Sequence, residues 1–479
     1  MRPVIGVIGR LSVVLGLSML LPAALDYADG SDNWRAFALS AFLVAVSGQS
    51  LSLASRSATR QGLSRQQALL LTTLVWFALP VFGSVPFVLG SPSASLTDAF
   101  FEAMSGLTTT GATVFSGLGE ADRGMLLWRA LLQWFGGVGI VVVAMVFLPV
   151  LKIGGMQFFR SEGFDVSGDI LPRAAEVARA LFWIYLTLTV LCVIGYASTG
   201  MTTFEAVAHA MTTVSTGGMG TYDDSFDRFS SASHYVAVVF MALAALPFIR
   251  LIQLSRGQWL PLWRDSQVLA FLAILGVVTT VIAAWIWTAE RYGAAEAVRE
   301  ALFNVTSIMT GTGYASSNYN AWGGFAVTLF FIVALIGGCA GSTSCSAKVF
   351  RYQILFAALT NEIRRIHNPS GVFPLRYDRR SVEPEVLSSV MAFFFVFVAA
   401  IVIWAVALSM FGLSAITSIS GAVAVLANVG PGLGSEIGPA GNFASLPDGA
   451  KWLLAFGMVL GRLEFLSVLV LLTPVFWRR

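Results

Sequence analysis

Long apolar runs separated by short polar segments dominate this chain. Ten of them reach or approach spanning length, at roughly 10–25, 35–55, 67–90, 124–151, 177–199, 234–256, 267–289, 322–350, 386–411 and 449–476. A helix needs about 20 apolar residues to cross a hydrocarbon core about 30 Å thick. Each run therefore predicts a transmembrane helix. The first is short and carries Arg10 near its start. After the third, fifth, seventh and ninth runs comes a second apolar stretch of about a dozen residues, too short to cross. Each ends in small residues: Thr109-Thr110-Gly111-Ala112-Thr113, Ser215-Thr216-Gly217-Gly218-Met219, Gly311-Thr312-Gly313-Tyr314-Ala315 and Gly430-Pro431-Gly432-Leu433-Gly434. Aligning Gly111, Gly217, Gly313 and Gly432 gives intervals of 106, 96 and 119 residues. Near-regular recurrence of one composition signals internal repetition. Each unit reads span, half-helix, glycine run, span, and the first two spans stand outside the repeats.

Such a unit has a physical rationale. Non-helical backbone at membrane depth is tolerated where it is buried in protein or lines a water-filled path. Glycine lets carbonyls turn toward an axis without a Cβ clash. A ring of carbonyls replaces the hydration shell of a permeating cation. The half-helix also points its partly negative C-terminal end at the same place. The fold expected is an all-α polytopic membrane protein with four pseudo-symmetric repeats around one pore. Close helix packing through small residues is the competing reading of the glycines.

Composition agrees with lipid as the solvent. Of 479 residues, 56% are apolar and only 11% charged, and the mean hydropathy is +0.77. A net charge of +3 is too small to suggest nucleic acid as a partner. Loop charge orients the chain. With the N-terminus cytoplasmic, inner segments hold 21 of the 29 basic residues, while acidic residues divide 16 outside and 9 inside. The inner set includes Arg56, Arg60, Arg65, Lys152, Arg160, Arg173, Arg250, Arg364, Arg365, Arg376, Arg379, Arg478 and Arg479. Both termini are expected in the cytoplasm. Arg462 lies within the last run, 16 residues before Arg478, or about 24 Å along a helix. Arg462 and Glu464 stand out as deep charges, and such charges usually face a cavity.

Enzymatic constellations are absent from the sequence. Gly136-Gly137-Val138-Gly139 lies inside a span without a preceding soluble strand, so it is no dinucleotide loop. There is no Gly-Lys dipeptide and no HExxH. Cys192, Cys339 and Cys345 are odd in number and unpatterned, which gives neither a disulfide framework nor a metal site. His209 reads as a polar core residue or an ion-linked group. Glu102 and Asn304 align on the first and third half-helices, where they either bond nearby filter backbone or are simply buried. Asp223, Asp224 and Asp227 either concentrate cations at a mouth or form an ordinary solvated loop.

Taken together, TTTGAT at 108–113, VSTGG at 214–218, TGTGYASSNY at 310–319, GPGLG at 430–434 and GRLEFLSVLVLLTPVFWR at 461–478 resemble the Trk/Ktr/HKT superfamily of cation transporters. The closest likeness is to its bacterial potassium-translocating branch, and it covers essentially the whole chain. The resemblance implies a potassium filter at Thr110, Gly111, Thr216, Gly217, Thr312, Gly313, Pro431 and Gly432, with the ion held by backbone carbonyls. Plant relatives with serine at the first glycine position transport sodium, so glycine at all four favours potassium. The resemblance also implies an intramembrane gating loop at 337–347. Gate residues would be Gly337, Gly338, Gly341, Ser342, Thr343, Ser344, Lys348 and Arg462. Cys345-Ser346 replace the usual glycine pair, which removes backbone freedom from that gate.

Units implied are 1–60 (two N-terminal helices), 61–160, 161–260, 261–370 (with the gating loop) and 371–479. Further expectations are a homodimer in the bacterial inner membrane and contact with lipid. A TrkA-type cytosolic regulatory ring would dock on Arg364 and Arg365. ATP or NAD would bind that ring, and no cofactor would bind this chain. A proton- or sodium-coupled potassium symporter is the alternative. A membrane enzyme is not expected.

Overall fold

The computed structural model describes residues 2–55, 64–143, 170–378 and 380–477. Helices α1 (Arg2–Ser18) and α2 (Leu20–Asp29) continue one another as a single 28-residue span, and α3 (Trp34–Ala54) returns beside them. Gly9 and Gly48 let α1 and α3 touch backbone to backbone. A Cβ at either would lie closer than 3.0 Å to the opposite helix. Such small-residue contacts drive helix association in lipid, where apolar burial supplies little between helices.

Four repeats follow. The first has α4 (Arg65–Gly83), a short α5 (Val85–Leu89), half-helix α6 (Leu96–Leu107) and α7 (Arg123–Val142). The second has α8 (Ile170–Ser198), half-helix α9 (Thr203–Val214), α10 (Ser231–Ala244), α11 (Phe248–Ser255) and α12 (Leu260–Trp263). The third has α13 (Ser266–Thr288), half-helix α14 (Ala294–Thr310), α15 (Gly324–Ile336) and α16 (Val349–His367). The fourth has α17 (Pro384–Ser409), half-helix α18 (Ala415–Leu426), α19 (Gly434–Ile437), α20 (Asp448–Arg462), α21 (Leu466–Leu471) and α22 (Pro474–Trp477). Between the last two repeats, β1 (Arg376–Tyr377) pairs antiparallel with β2 (Arg380–Ser381).

Local sequence explains the half-helix starts. Ser95, Thr202 and Ser414 each accept a backbone N–H from three residues on, at 3.1, 3.3 and 3.2 Å. Glu205 completes a capping box with Thr202. Packing between repeats is cyclic. The helix after each glycine run lies on the half-helix of the next repeat: α7 on α9, α10 on α14, α15 on α18, and α20 back on α6. Four half-helices therefore surround one axis.

Several expected spans differ. The first runs from Arg2 rather than from about residue 10. The expected 234–256 span bends by 102° between α10 and α11, where Pro247 cannot donate to the helix ladder. The expected 322–350 span ends as a helix at Ile336 and resumes at Val349, since the glycine- and serine-rich segment between gains more from bonds to its neighbours than from a helix. The expected 449–476 span breaks after Arg462, with Glu464 and Phe465 both left-handed (φ 58° and 52°). Among the described residues, seven helices are long and apolar enough to cross alone, or eight with the bent pair. The end of the 124–151 run, the unit boundaries at 60/61 and 160/161, and Arg56, Arg60, Lys152, Arg160, Arg379, Arg478 and Arg479 lie outside the described residues.

Candidate functional site

Each half-helix ends in the same turn. A left-handed residue, a residue without positive φ and a left-handed glycine follow one another: Thr109/Thr110/Gly111, Thr216/Gly217/Gly218, Gly311/Thr312/Gly313 and Asn428/Val429/Gly430. The middle residue's N–H returns to the half-helix. Thr110 donates to Ser105 O, Gly217 to Thr212 O, Thr312 to Ser307 O and Val429 to Ala424 O, all at 2.9 Å. These bonds tie the N–H groups down and leave the carbonyls of the turn for other partners.

This backbone pattern corrects the glycine alignment. Gly218 and Gly430, not Gly217 and Gly432, are the counterparts of Gly111 and Gly313. Gly217 stands where Thr110 and Thr312 stand, and Thr216 matches Thr109 and Gly311. Pro431 and Gly432 fall beyond the turn, and the Gly432 N–H donates to Ile437 O at 2.7 Å. Repeats 2 and 4 each carry more than one glycine here, and composition alone does not say which is left-handed.

The four true counterparts close a ring. A Cβ on Gly111 would strike the Gly217 carbonyl, one on Gly218 the Thr312 carbonyl, one on Gly313 the Val429 carbonyl and one on Gly430 the Thr110 carbonyl. All four approaches are closer than 3.0 Å. Each glycine thus packs on the next repeat, in chain order, and the fourth returns to the first. Only glycine combines a positive φ with this approach. Asn428 seals the last seam, donating at 2.9 Å to both Thr110 Oγ1 and Met458 O. Beyond the ring lies a cavity of about 120 Å³, bordered by Gly111, Gly218, Gly313, Pro431, Arg129 and Asp223.

Of the flanking polar residues, Asp223 Oδ2 and Oδ1 accept N–H bonds from Gly117 (2.8 Å) and Leu118 (3.3 Å). Asp224 pairs with Arg228, and Asp227 is exposed. His209 is buried, with Nδ1 2.9 Å from Glu205 O and its ring against Phe226 and Phe229. Arg364 and Arg365 are exposed at the end of α16, where Arg365 meets Glu362 at 2.8 Å.

The irregular segment 337–348 crosses the C-terminal side of the half-helices. Thr343 Oγ1 donates to Val214 O (3.2 Å) and Ala244 O (3.0 Å), its N–H also reaches Ala244 O, and Phe248 N–H donates to Gly341 O (2.9 Å). Gly338 N–H is held by Ser344 Oγ at 2.9 Å, and Ser342 Oγ donates to Cys339 O at 2.7 Å. Gly337 and Gly341 are left-handed, but so are Ser346 (φ 65°) and Lys348 (φ 67°). A non-glycine residue pays about 1–2 kcal/mol for that conformation. The loop's own hydrogen bonds offset it: Ser346 Oγ donates to Ala334 O at 2.8 Å.

Arg462 is 2% exposed and lies against this loop. Its Nη1 donates to Thr343 O at 3.3 Å and touches Cys345 Sγ, while Nε and Nη2 have no partner among the described residues. Glu464 does not serve it. That carboxylate meets Lys348 Nζ at 3.2 Å and Arg351 Nη2 at 2.5 Å, which removes the reading of Arg462 as half of an ion pair with Glu464. The helix break between them is the reason. Nor are Arg462 and Glu464 alone as buried charges, because Glu102 and Arg129 pair at 2.8 Å in the interior. Sequence reasoning missed Arg129 and Gln133. Their signal was two polar residues four apart on one face of an apolar span.

Residues 35–478 match the TrkH family model, described as a cation transport protein. The chain is 41% identical to the Trk system potassium uptake protein TrkI of Halomonas elongata, over all of this chain and 97% of that one. It is 35% identical to TrkH of Salmonella typhimurium, covering 100% and 99% of the two chains. The crystal structure of the potassium transporter TrkH from Vibrio parahaemolyticus superposes with a TM-score of 0.92 at 34% identity, covering 100% of this chain and 99% of that one. The chain is a multi-pass membrane protein and belongs to the TrkH family of cation transport proteins.

Proposed function

We propose that this chain takes up potassium across the bacterial inner membrane through the ring formed by Gly111, Gly218, Gly313, Gly430 and the carbonyls they touch. It acts as a transporter and not as an enzyme. The observation that carries the reading is the closed cycle of glycine–carbonyl contacts, one per repeat. Carbonyl rings stand in for hydration water around a cation. The half-helices turn their C-terminal ends toward it. Segment 337–348 and Arg462 form the gate on the inner side. The repeat units are 61–160, 161–260, 261–370 and 371–479, both termini are cytoplasmic, and the protein works as a homodimer. Potassium is the substrate, and no cofactor belongs to this chain.

Rubidium flux into liposomes tests this. Uptake is expected down a potassium gradient without a proton or sodium gradient. Uptake that stops when those gradients are absent would instead establish a coupled symporter. In the same assay Gly313→Ser is expected to lower the preference for potassium over sodium. Its side chain meets the Val429 carbonyl and its φ of +85° is unfavourable for serine. Unchanged ion preference in a folded Gly313→Ser protein would remove Gly313 from the ion path.

Regulation is assigned to a cytosolic TrkA-like ring that binds ATP or NAD and docks near Arg364 and Arg365. Their exposure and the basic density of the segment support this. Charge reversal at both, Arg364→Glu with Arg365→Glu, is expected to weaken partner binding by about tenfold or more. A double variant that binds the ring and answers nucleotide normally would rule out docking at these residues.

A further inference from the structure

With the ring register corrected, the residue nine positions before each ring glycine is Glu102, His209, Asn304 and Gly421. Two of these do the same thing. Glu102 Oε2 accepts the Val114 N–H at 3.0 Å, and Asn304 Oδ1 accepts the Ser316 N–H at 3.3 Å. Val114 and Ser316 each stand three residues after their ring glycine. The half-helix therefore holds the departing limb of its own turn.

Repeat 1 goes further, because its acceptor is charged and draws in a second helix. Glu102 Oε1 takes Arg129 Nε at 2.8 Å, and Arg129 Nη1 crosses the seam to donate to Gly220 O at 2.8 Å. One turn along α7, Gln133 Nε2 donates to Gly217 O at 2.6 Å and Gln133 Oε1 accepts the Met219 N–H at 3.1 Å. Residues four apart share a helix face, so both side chains address one loop. Gly217 O is also the carbonyl against which Gly111 packs. Glu102, Arg129 and Gln133 are all buried. The seam between repeats 1 and 2 is thereby fixed from behind by side chains that do not belong to the ring.

We propose that Glu102, Arg129 and Gln133 are positioning residues that set where the Gly217 carbonyl stands and so help determine which ion the ring prefers. The proposal rests on the reading of the ring as the ion path. Carbonyl rings discriminate by cavity size or by the number and field of their dipoles. Either depends on where the carbonyls are held. Gln133 acts directly on one such carbonyl. Glu102 acts through Arg129, whose planar guanidinium reaches the carboxylate and the Gly220 carbonyl at once.

The test measures rubidium uptake into liposomes against competing potassium and sodium for Gln133→Met and Glu102→Gln, with Gly313→Ser alongside. Gln133→Met nearly keeps the volume, removes both seam bonds and strands no buried charge. It is expected to reduce potassium-over-sodium preference by about tenfold, equivalent to about 1.4 kcal/mol. Thermal unfolding of each variant is followed in parallel, since a purely structural residue would lower the melting temperature without moving ion preference. Folded Gln133→Met and Glu102→Gln proteins with wild-type preference would overturn the clamp. If neither variant folds, the three residues are structural and the clamp is likewise overturned. If preference moves in Gly313→Ser alone, the ring remains the ion path and only the clamp fails. If it moves in none of the folded variants, the reading of the ring itself fails.

Discussion

Arg462→Ala is expected to raise basal potassium flux by about two orders of magnitude while leaving ion preference unchanged. A guanidinium stays protonated at any accessible pH. A permeating cation about 6 Å from it, at an effective dielectric of about 20, meets about 3 kcal/mol of repulsion. Each 1.36 kcal/mol is about tenfold in rate. The variant also loses the Nη1 bond to Thr343 O that holds the 337–348 loop in place. Folding should survive, because Arg462 has no carboxylate partner among the described residues and two of its nitrogens are already unpartnered. Rubidium uptake with equal amounts of folded wild type and variant measures the effect. A well-folded variant no more active than wild type would refute the barrier.

Glu464→Gln should destabilise the protein by about 3–5 kcal/mol, the usual effect of breaking a buried ion pair from one side. One carboxylate here offsets two cations, Lys348 at the end of the 337–348 loop and Arg351 at the start of the next helix. The amide keeps the shape and loses the charge. Arg351 also lies over the Phe393 ring at 3.8 Å, which supports its position but does not replace the carboxylate. Denaturant unfolding in detergent reports the change. Glu464→Asp, which keeps the charge, should recover part of it. Wild-type stability in Glu464→Gln would show that the three side chains are solvated together in the membrane.

The contrast between these two residues marks where sequence reasoning stops. A helix drawn through 449–476 puts Arg462 and Glu464 two positions apart on one rod. Little in Gly461-Arg462-Leu463-Glu464-Phe465-Leu466 announces a break at this point, as the stretch holds no proline and leucine favours helix. The break comes from the partners: Lys348 and Arg351 hold Glu464 elsewhere. By contrast, the fourfold plan is legible, because a dozen apolar residues that end in glycine cannot cross a bilayer. Register within that plan is only half legible. Repeat 1 offers a single glycine at the critical place, whereas Gly217-Gly218, Gly311-Thr312-Gly313 and Gly430-Pro431-Gly432 offer several. The Glu102–Arg129 pair stays hidden since its members sit 27 residues apart on different helices.

The closed ring also bears on how the protein is made. Three of its seams join consecutive repeats, and these contacts become available as each half-helix leaves the ribosome. The last joins the fourth repeat to the first: Asn428 bonds Thr110 across 318 residues. Synthesis proceeds from the N-terminus and early segments fold first. Three-quarters of the ring must therefore wait, its edge carbonyls uncovered, until the last half-helix is inserted. A nascent chain arrested before residue 428 has no means of completing the ring, however well its first three repeats have packed.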